Sequence, residues 1–257
     1  MSDRPRFPLQ DEMTGEVVSD PDGFPIAELE GHDYLGLSET LSLEERAAGE
    51  RAWRYGHVIV DEAQDLTPMQ WRMVARRARG HSMTIVGDLA QRTVGDPASW
   101  PQLLPPEVGE VSRFDLTTNY RSPEPVSVLA AQVLDQLPQN LVAPTAIREG
   151  EHDVERVATN DVVQSVADQI KRHGEDFDGQ IAVIAVEPSR FVTEDERVRV
   201  LSPTAAKGME FDSVIVVEPS EILTLDHGLG LLYVAITRST DRLVMVHANP
   251  LPDYLRP

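Results

Sequence analysis

The chain has 257 residues, enough for one large domain or two modest ones and for a sizeable buried core. Its 23 Lys and Arg stand against 43 Asp and Glu, a net charge of −20, which argues against a free-standing binder of nucleic-acid backbone or of an anionic membrane surface. With no cysteine, a disulfide framework and a zinc-thiolate site are excluded and a reducing, cytoplasmic setting is expected. No run of 18 apolar residues offers a membrane span, and Met1 opens onto Ser-Asp-Arg-Pro-Arg rather than a secretory signal.

Only two of the basic residues are lysines, Lys171 and Lys207, an arginine bias that reads as the footprint of a GC-rich genome. Residues 1–56 hold 13 acids and 5 bases, and Pro5, Pro8, Pro21 and Pro25 interrupt the first half. This acidic segment reads as a partly irregular tail or loose wrap. A helix is expected near Leu41–Arg54, with Ser42 and Glu45 spaced as a capping box.

From His57 the pattern sharpens. His57–Val60 reads as a buried parallel strand that runs into Asp61-Glu62. Thr67-Pro68 then starts a helix, with Thr67 as N-cap and Gln70 closing the box, and Gly80 stops it after Arg79. Trp71 and Met73 on that helix read as packing residues, and Arg72, Arg76, Arg77 and Arg79 as a solvated basic face. Strands are expected at Met83–Val86 and Phe114–Thr117. Pro123 opens a helix with Val126, Leu129, Ala130, Val133, Leu134 and Leu137 on one stripe. A helix near Asp161–His173 follows, then strands at Ile181–Val186, Val198–Leu201 and Val214–Val217. Helix Gly230–Arg238 and strand Arg242–Val246 complete the pattern. Short apolar strands alternating with helices predict an α/β fold with parallel sheets, two rather than one, divided between Leu116 and Pro125.

In such sheets ligands bind beyond the carboxyl ends of the strands. Asp61-Glu62, Gly87–Gln91 and Thr118–Arg121 fall there. A carboxylate pair after a strand suits phosphoryl chemistry, one group holding Mg²⁺ and the next polarising a water, although an isolated Asp-Glu pair more often just begins a surface loop. The seven histidines show no metal-ligand spacing, and His57, ahead of its strand, is given no catalytic role.

The wider context decides between these readings. His57-Val-Ile-Val-Asp-Glu-Ala-Gln-Asp65 resembles motif II of the UvrD/Rep-like superfamily 1 helicases, Thr84-Ile-Val-Gly-Asp-Leu-Ala-Gln91 resembles motif III, and Leu116-Thr-Thr-Asn-Tyr-Arg-Ser122 resembles motif IV. Thr204-Ala-Ala-Lys-Gly-Met-Glu-Phe-Asp212 is similar to motif V, and Leu232-Tyr-Val-Ala-Ile-Thr-Arg-Ser-Thr-Asp-Arg-Leu243 to motif VI. Glu50–Val60, Pro68–Met73 and His81–Gln91, with Ser99-Trp100 downstream, further resemble the actinobacterial HelD group, ATPases that act on RNA polymerase.

The resemblance implies two RecA-like parallel-sheet lobes of the P-loop NTPase fold. Residues 57–118 would form an incomplete first lobe and residues 119–257 the second. It implies ATP and Mg²⁺ as ligands. Asp61 would hold the metal, Glu62 the attacking water and Gln91 the γ-phosphate. Arg121 and Arg238 would be arginine fingers, Tyr120 would stack on adenine, and Glu210 would meet the ribose. Taken singly, Arg238 could serve only a helix dipole and Tyr120 could be a core aromatic. Lys207 reads equally as a surface lysine or a functional one.

One departure stands out. The family's G-x-x-x-x-G-K-[ST] loop is not spelled here, because the two lysines precede Arg172 and Gly208. The chain is therefore expected to be a truncated homologue, an engineered fragment or one half of a split protein, inactive alone. The expected partner is RNA polymerase, or single-stranded DNA for an ordinary UvrD-like helicase, with a separate chain supplying the P-loop as a further option. An ATPase-dead binding module is the alternative of a different class.

Overall fold

The computed structural model describes residues 55–78, 82–95, 99–139 and 141–257. The expected helix near residues 41–54 and its capping box lie outside them. The chain divides into two compact units, residues 1–58 with 76–82, and residues 59–75 with 83–257. In the first, Tyr55 N–H donates to the Arg77 carbonyl at 2.7 Å, Val58 N–H to the Ser82 carbonyl at 3.1 Å, and His57 Nδ1 lies 2.8 Å from Ser82 Oγ.

The second unit is built on a five-stranded parallel sheet. Its strands are β5 (Glu155–Ala158), β6 (Ile181–Ile184), β7 (Val198–Leu201), β8 (Phe211–Val217) and β9 (Ser239–His247), in the order β5-β9-β8-β6-β7. The central strands are apolar on both faces, as parallel strands covered twice must be. Ala182, Ile184, Val214, Val216, Leu243 and Met245 point into one core. Their alternates Ile181, Val183, Ile215, Val217, Val244 and Val246 point into the other.

The first core is closed by two helices, α3 (Glu124–Leu134) and α6 (Gly228–Thr237), with the short helix α5 (Pro219–Ile222) preceding α6. The stripe of α3 is buried as its spacing predicts, at Val126, Leu129, Ala130, Val133 and Leu134, with Leu137 packed at its margin. Helix α6 is apolar all round, so it is buried on every side from Leu231 to Ile236. The second core is covered by α4 (Val162–Asp176), whose N-cap Asp161 accepts from Gln164 N–H at 3.0 Å.

Ahead of this sheet, β1 (Val58–Val60) and β2 (Met83–Ile85) form a two-stranded pair. Helix α1 (Pro68–Arg77) joins them and begins with the expected reciprocal box, Thr67 N–H to Gln70 Oε1 at 2.8 Å and Gln70 N–H to Thr67 Oγ1 at 3.3 Å. A short helix α2 (Trp100–Leu103) follows, then the parallel pair of β3 (Thr118–Asn119) with β4 (Thr145–Ala146).

Three expectations are corrected. Phe114–Thr117 is no strand: the residue ladder with β4 begins at Thr118, with the Thr117 carbonyl accepting from Thr145 N–H at 2.8 Å, and Phe114 and Leu116 are each 86% exposed. The apolar alternation there marks a strand-former without a neighbouring strand among the described residues. β1 is not buried on both faces, since Val60 is buried while Ile59 is 72% exposed, as suits a two-stranded pair. Met73 does not pack, being 59% exposed, whereas Trp71 is fully buried. One further strand, β5, has no counterpart in the sequence pattern, because Glu155-Arg-Val-Ala158 is a sheet edge with little apolar signal. Among the described residues no helix is long and apolar enough to cross a membrane.

Candidate functional site

The site is assembled where β1 and β2 end. Glu62 follows β1 with φ 49° and ψ 36°, a left-handed backbone that costs a non-glycine residue about 1–3 kcal/mol. That kink breaks the strand and starts a 3₁₀ turn over Ala63–Asp65, whose first amide donates to the Val86 carbonyl at 3.0 Å. Gln64, fully buried, ties the two strand ends together. Its Nε2 donates to Glu62 Oε2 at 2.7 Å, and its Oε1 accepts from Asp88 N–H at 3.0 Å. The sequence reading gave Gln64 no role; a glutamine inside an otherwise acidic turn was the available signal.

After β2, Asp88 caps a second 3₁₀ turn, Leu89–Gln91. It accepts from Ala90 N–H and from Gln91 Nε2, both at 2.9 Å. The amide of Gln91 is thereby oriented, leaving its Oε1 to face Arg238 Nη2 at 3.4 Å. Gly87 lets Gln64 and Trp100 pack close to the end of β2, since a Cβ there would lie 2.4 Å from Gln64 Oε1 and 2.8 Å from the Trp100 ring.

Arg238 stands at the C-cap of α6 and is 2% exposed. Nε donates to the Val234 carbonyl at 3.2 Å, Nη1 to the Met209 carbonyl at 3.0 Å, and Nη2 also to Thr237 Oγ1 at 3.2 Å. Burial, then the neighbouring Arg121 guanidinium, lower its pKa, while Glu62, Tyr233 and Asp88 oppose the shift. An arginine remains charged through such a shift. Its bonds to Val234 and Thr237 serve the C-terminal end of the helix, and its contacts with Met209 and Gln91 reach beyond it.

Lys207 joins the same cluster. Its Nζ donates to Asp65 Oδ2 and, at 2.8 Å, to the Gln91 carbonyl, and it lies 3.8 Å from Glu62 Oε2. The side chain is 15% exposed, so the surface-lysine alternative falls.

The other expected residues are more open. Arg121 Nε pairs with Glu210 Oε2 at 3.1 Å with both side chains at least half exposed. Tyr120 is 70% exposed, which removes the core-aromatic alternative. Asp61 is exposed, and its Oδ1 accepts from Glu62 N–H at 2.8 Å.

The structure therefore brings Glu62, Gln91 and Arg238 together, adds Gln64, Asp65, Asp88 and Lys207, and sets Arg121 with Glu210 beside them. No group of three or more potential metal ligands occurs among the described residues. A Mg²⁺ ion held by one carboxylate, with phosphate and water oxygens completing its shell, fits this donor set; an all-protein cage does not.

The viral superfamily 1 RNA helicase core domain family matches residues 42–247. The chain belongs to this family. The α/β fold with parallel sheets agrees with that membership. Among solved structures, this helicase core is similar to the C-terminal domain of a possible DNA helicase from Lactobacillus plantarum WCFS1. The two are 21% identical with a TM-score of 0.40, over 53% of this chain and 92% of that one. It is also similar to the PRRSV helicase (18% identity, TM-score 0.46, 74% of this chain and 34% of that one). Arterivirus nonstructural protein 10, a helicase also solved with DNA, is 17% identical with a TM-score of 0.46, over 79% of this chain and 41% of that one. The chain thus spans 34–41% of the length of these viral helicases. Comparison with curated proteins gives no match.

Proposed function

We propose that this helicase core carries the hydrolytic side of an ATP site, the motor portion of a UvrD-like superfamily 1 ATPase. The observation that supports the reading best is the convergence of Glu62, Gln91 and Arg238 from three separate segments onto one cluster. In this reading residues 57–118 contribute the carboxylates and Gln91, and residues 119–257 contribute the arginines.

Glu62 orients and deprotonates the attacking water. Gln91, held by Asp88, contacts the γ-phosphoryl group and relays its position to Arg238. Arg121 and Arg238 neutralise charge on the transferred group, which planar guanidiniums do better than ammoniums. Arg121 is the more available of the two. Most of the N–H groups of Arg238 already serve protein acceptors, so it acts from a fixed position through its remaining Nη1 proton or by exchanging Gln91. Tyr120 offers an open ring face for a base, and Glu210, released from Arg121, an acceptor for a ribose hydroxyl. Asp61 would hold Mg²⁺, which when bound supplies charge neutralisation at the phosphates.

Turnover also requires a phosphate-binding loop, which this reading places in sequence encoded elsewhere or in a separate chain. Purified alone with Mg-ATP, the chain should release phosphate no faster than Glu62→Gln; joined to the loop it should show Glu62-dependent release. Glu62-dependent release without the loop, or none with it, would refute the assignment.

For the partner we favour RNA polymerase, as in HelD-like ATPases, over single-stranded DNA. The −20 charge opposes phosphate contacts and favours the basic protein surfaces that hold nucleic acid. A paired titration at low salt against core RNA polymerase and single-stranded DNA tests this. Salt-sensitive DNA binding without polymerase binding would restore the ordinary helicase reading.

A further inference from the structure

Lys207 sits in a turn that is fixed before its side chain is considered. Ala206 N–H donates to the Ser202 carbonyl at 3.1 Å, Lys207 N–H to the Thr204 carbonyl at 3.3 Å, and Ala205 N–H to Ser202 Oγ at 3.2 Å. Ala206 is fully buried in the first core, and Gly208, with φ 74°, reverses the chain immediately afterwards. The lysine stem is thus aimed by a rigid base.

Its ammonium donates to Asp65 Oδ2 and to the Gln91 carbonyl, and Glu62 Oε2 lies 3.8 Å away as an ion-pair neighbour. These belong to two different turns, Ala63–Asp65 and Leu89–Gln91. Asp65 extends the link, because its Oδ1 accepts from Thr93 N–H at 3.1 Å. Ordering a long flexible stem carries an entropic cost that a solvated surface pair does not recover. Here the ammonium is partly buried, with two charge-assisted or carbonyl hydrogen bonds and the Glu62 carboxylate nearby, and these contacts hold both turns to the Ser202–Gly208 segment.

We propose that Lys207 is the positioning residue of this site. It fixes the Ala63–Asp65 and Leu89–Gln91 turns against each other so that the carboxylate of Glu62 and the amide of Gln91 address one point. The role in hydrolysis rests on the nucleotide reading above; the positioning itself does not. It acts on Glu62 and Gln91 and is given no contact with the reacting atoms.

Hydrogen exchange and NMR on this chain without nucleotide test it, so failure here is distinguishable from failure of the ATP assignment. In Lys207→Met, amides of residues 63–66 and 91–93 should exchange about tenfold faster, while those of β8 and β9 keep wild-type protection. The side-chain amide resonances of Gln64 and Gln91 should shift. Lys207→Arg, which keeps the cation, should restore most of the protection. Asp65→Asn should reproduce the loss at residues 91–93, and it carries the test if Lys207→Met does not fold. Unchanged exchange in Lys207→Met and Asp65→Asn would make Lys207 a passive lysine. Equal acceleration across β8 and β9 would make it a framework residue. Either result overturns the proposal.

Discussion

Arg238 Nη2 lies 3.4 Å from Gln91 Oε1, a contact between residues 147 positions apart in the chain. Neither side chain is free to wander. Asp88 holds the amide of Gln91, and the Val234 and Met209 carbonyls hold the guanidinium. The contact is therefore set by the framework on both sides.

That framework gives the two arginines different stabilities to lose. Arg238→Ala removes a buried cation and leaves the Met209 carbonyl without its donor, a change expected to cost about 1–3 kcal/mol. Arg121→Ala breaks only a half-exposed pair with Glu210 and should change stability by less than about 1 kcal/mol. Urea unfolding of the two variants checks the order. Equal losses would mean that Arg238 is not held as described.

Gly230 lets α6 approach the Leu89–Gln91 turn. A Cβ there would lie 2.9 Å from the Ala90 carbonyl and 3.3 Å from that of Arg92, both backbone atoms. Gly230→Ala should therefore destabilise the chain by about 1–3 kcal/mol, despite the better helix propensity of alanine. Gly56→Ala, where a Cβ meets nothing within 4 Å, is the control. A more stable Gly230→Ala in thermal unfolding would contradict the close approach.

Much of this was legible in the sequence, and the exceptions have physical causes. The stripe of α3 and the runs that became β6, β8 and β9 were readable because burial writes directly into residue type. Phe114–Leu116 carries a strand-like sequence yet forms no strand, because propensity records what a segment can do, whereas a strand also needs a neighbour. At the site, the turn residues stood out by order and spacing. The roles of Gln64, Asp65 and Lys207 did not, because each depends on contacts between distant segments: Lys207 meets Asp65 across 142 positions.

His173 supplies a pH prediction away from the site. It is buried, its Nδ1 lies 2.6 Å from Ser213 Oγ, and burial, with Arg172 and Arg242 adding to it, lowers its pKa from 6.5 to about 4. Between those values the unfolded chain binds a proton that the folded chain refuses. The stability His173 contributes is thus intact above pH 6.5, falls as pH drops toward 4, and levels off below that. The loss should be on the order of 2 kcal/mol after allowance for solvent screening. The wild-type minus His173→Gln difference in unfolding free energy, followed from pH 7 to 4, isolates it. A flat difference would mean that His173 is protonated as readily folded as unfolded.

The most direct test of the central claim is the steady-state rate of phosphate release from Mg-ATP by these residues joined to the phosphate-binding loop. Wild type is compared with Arg121→Ala, Arg238→Ala and Arg238→Lys, each shown to be folded. The account predicts that both alanine variants lose roughly 10³- to 10⁵-fold in kcat. It also predicts that Arg238→Lys stays impaired, because an ammonium cannot reach the acceptors served by the planar guanidinium. Wild-type turnover in Arg238→Ala would contradict it.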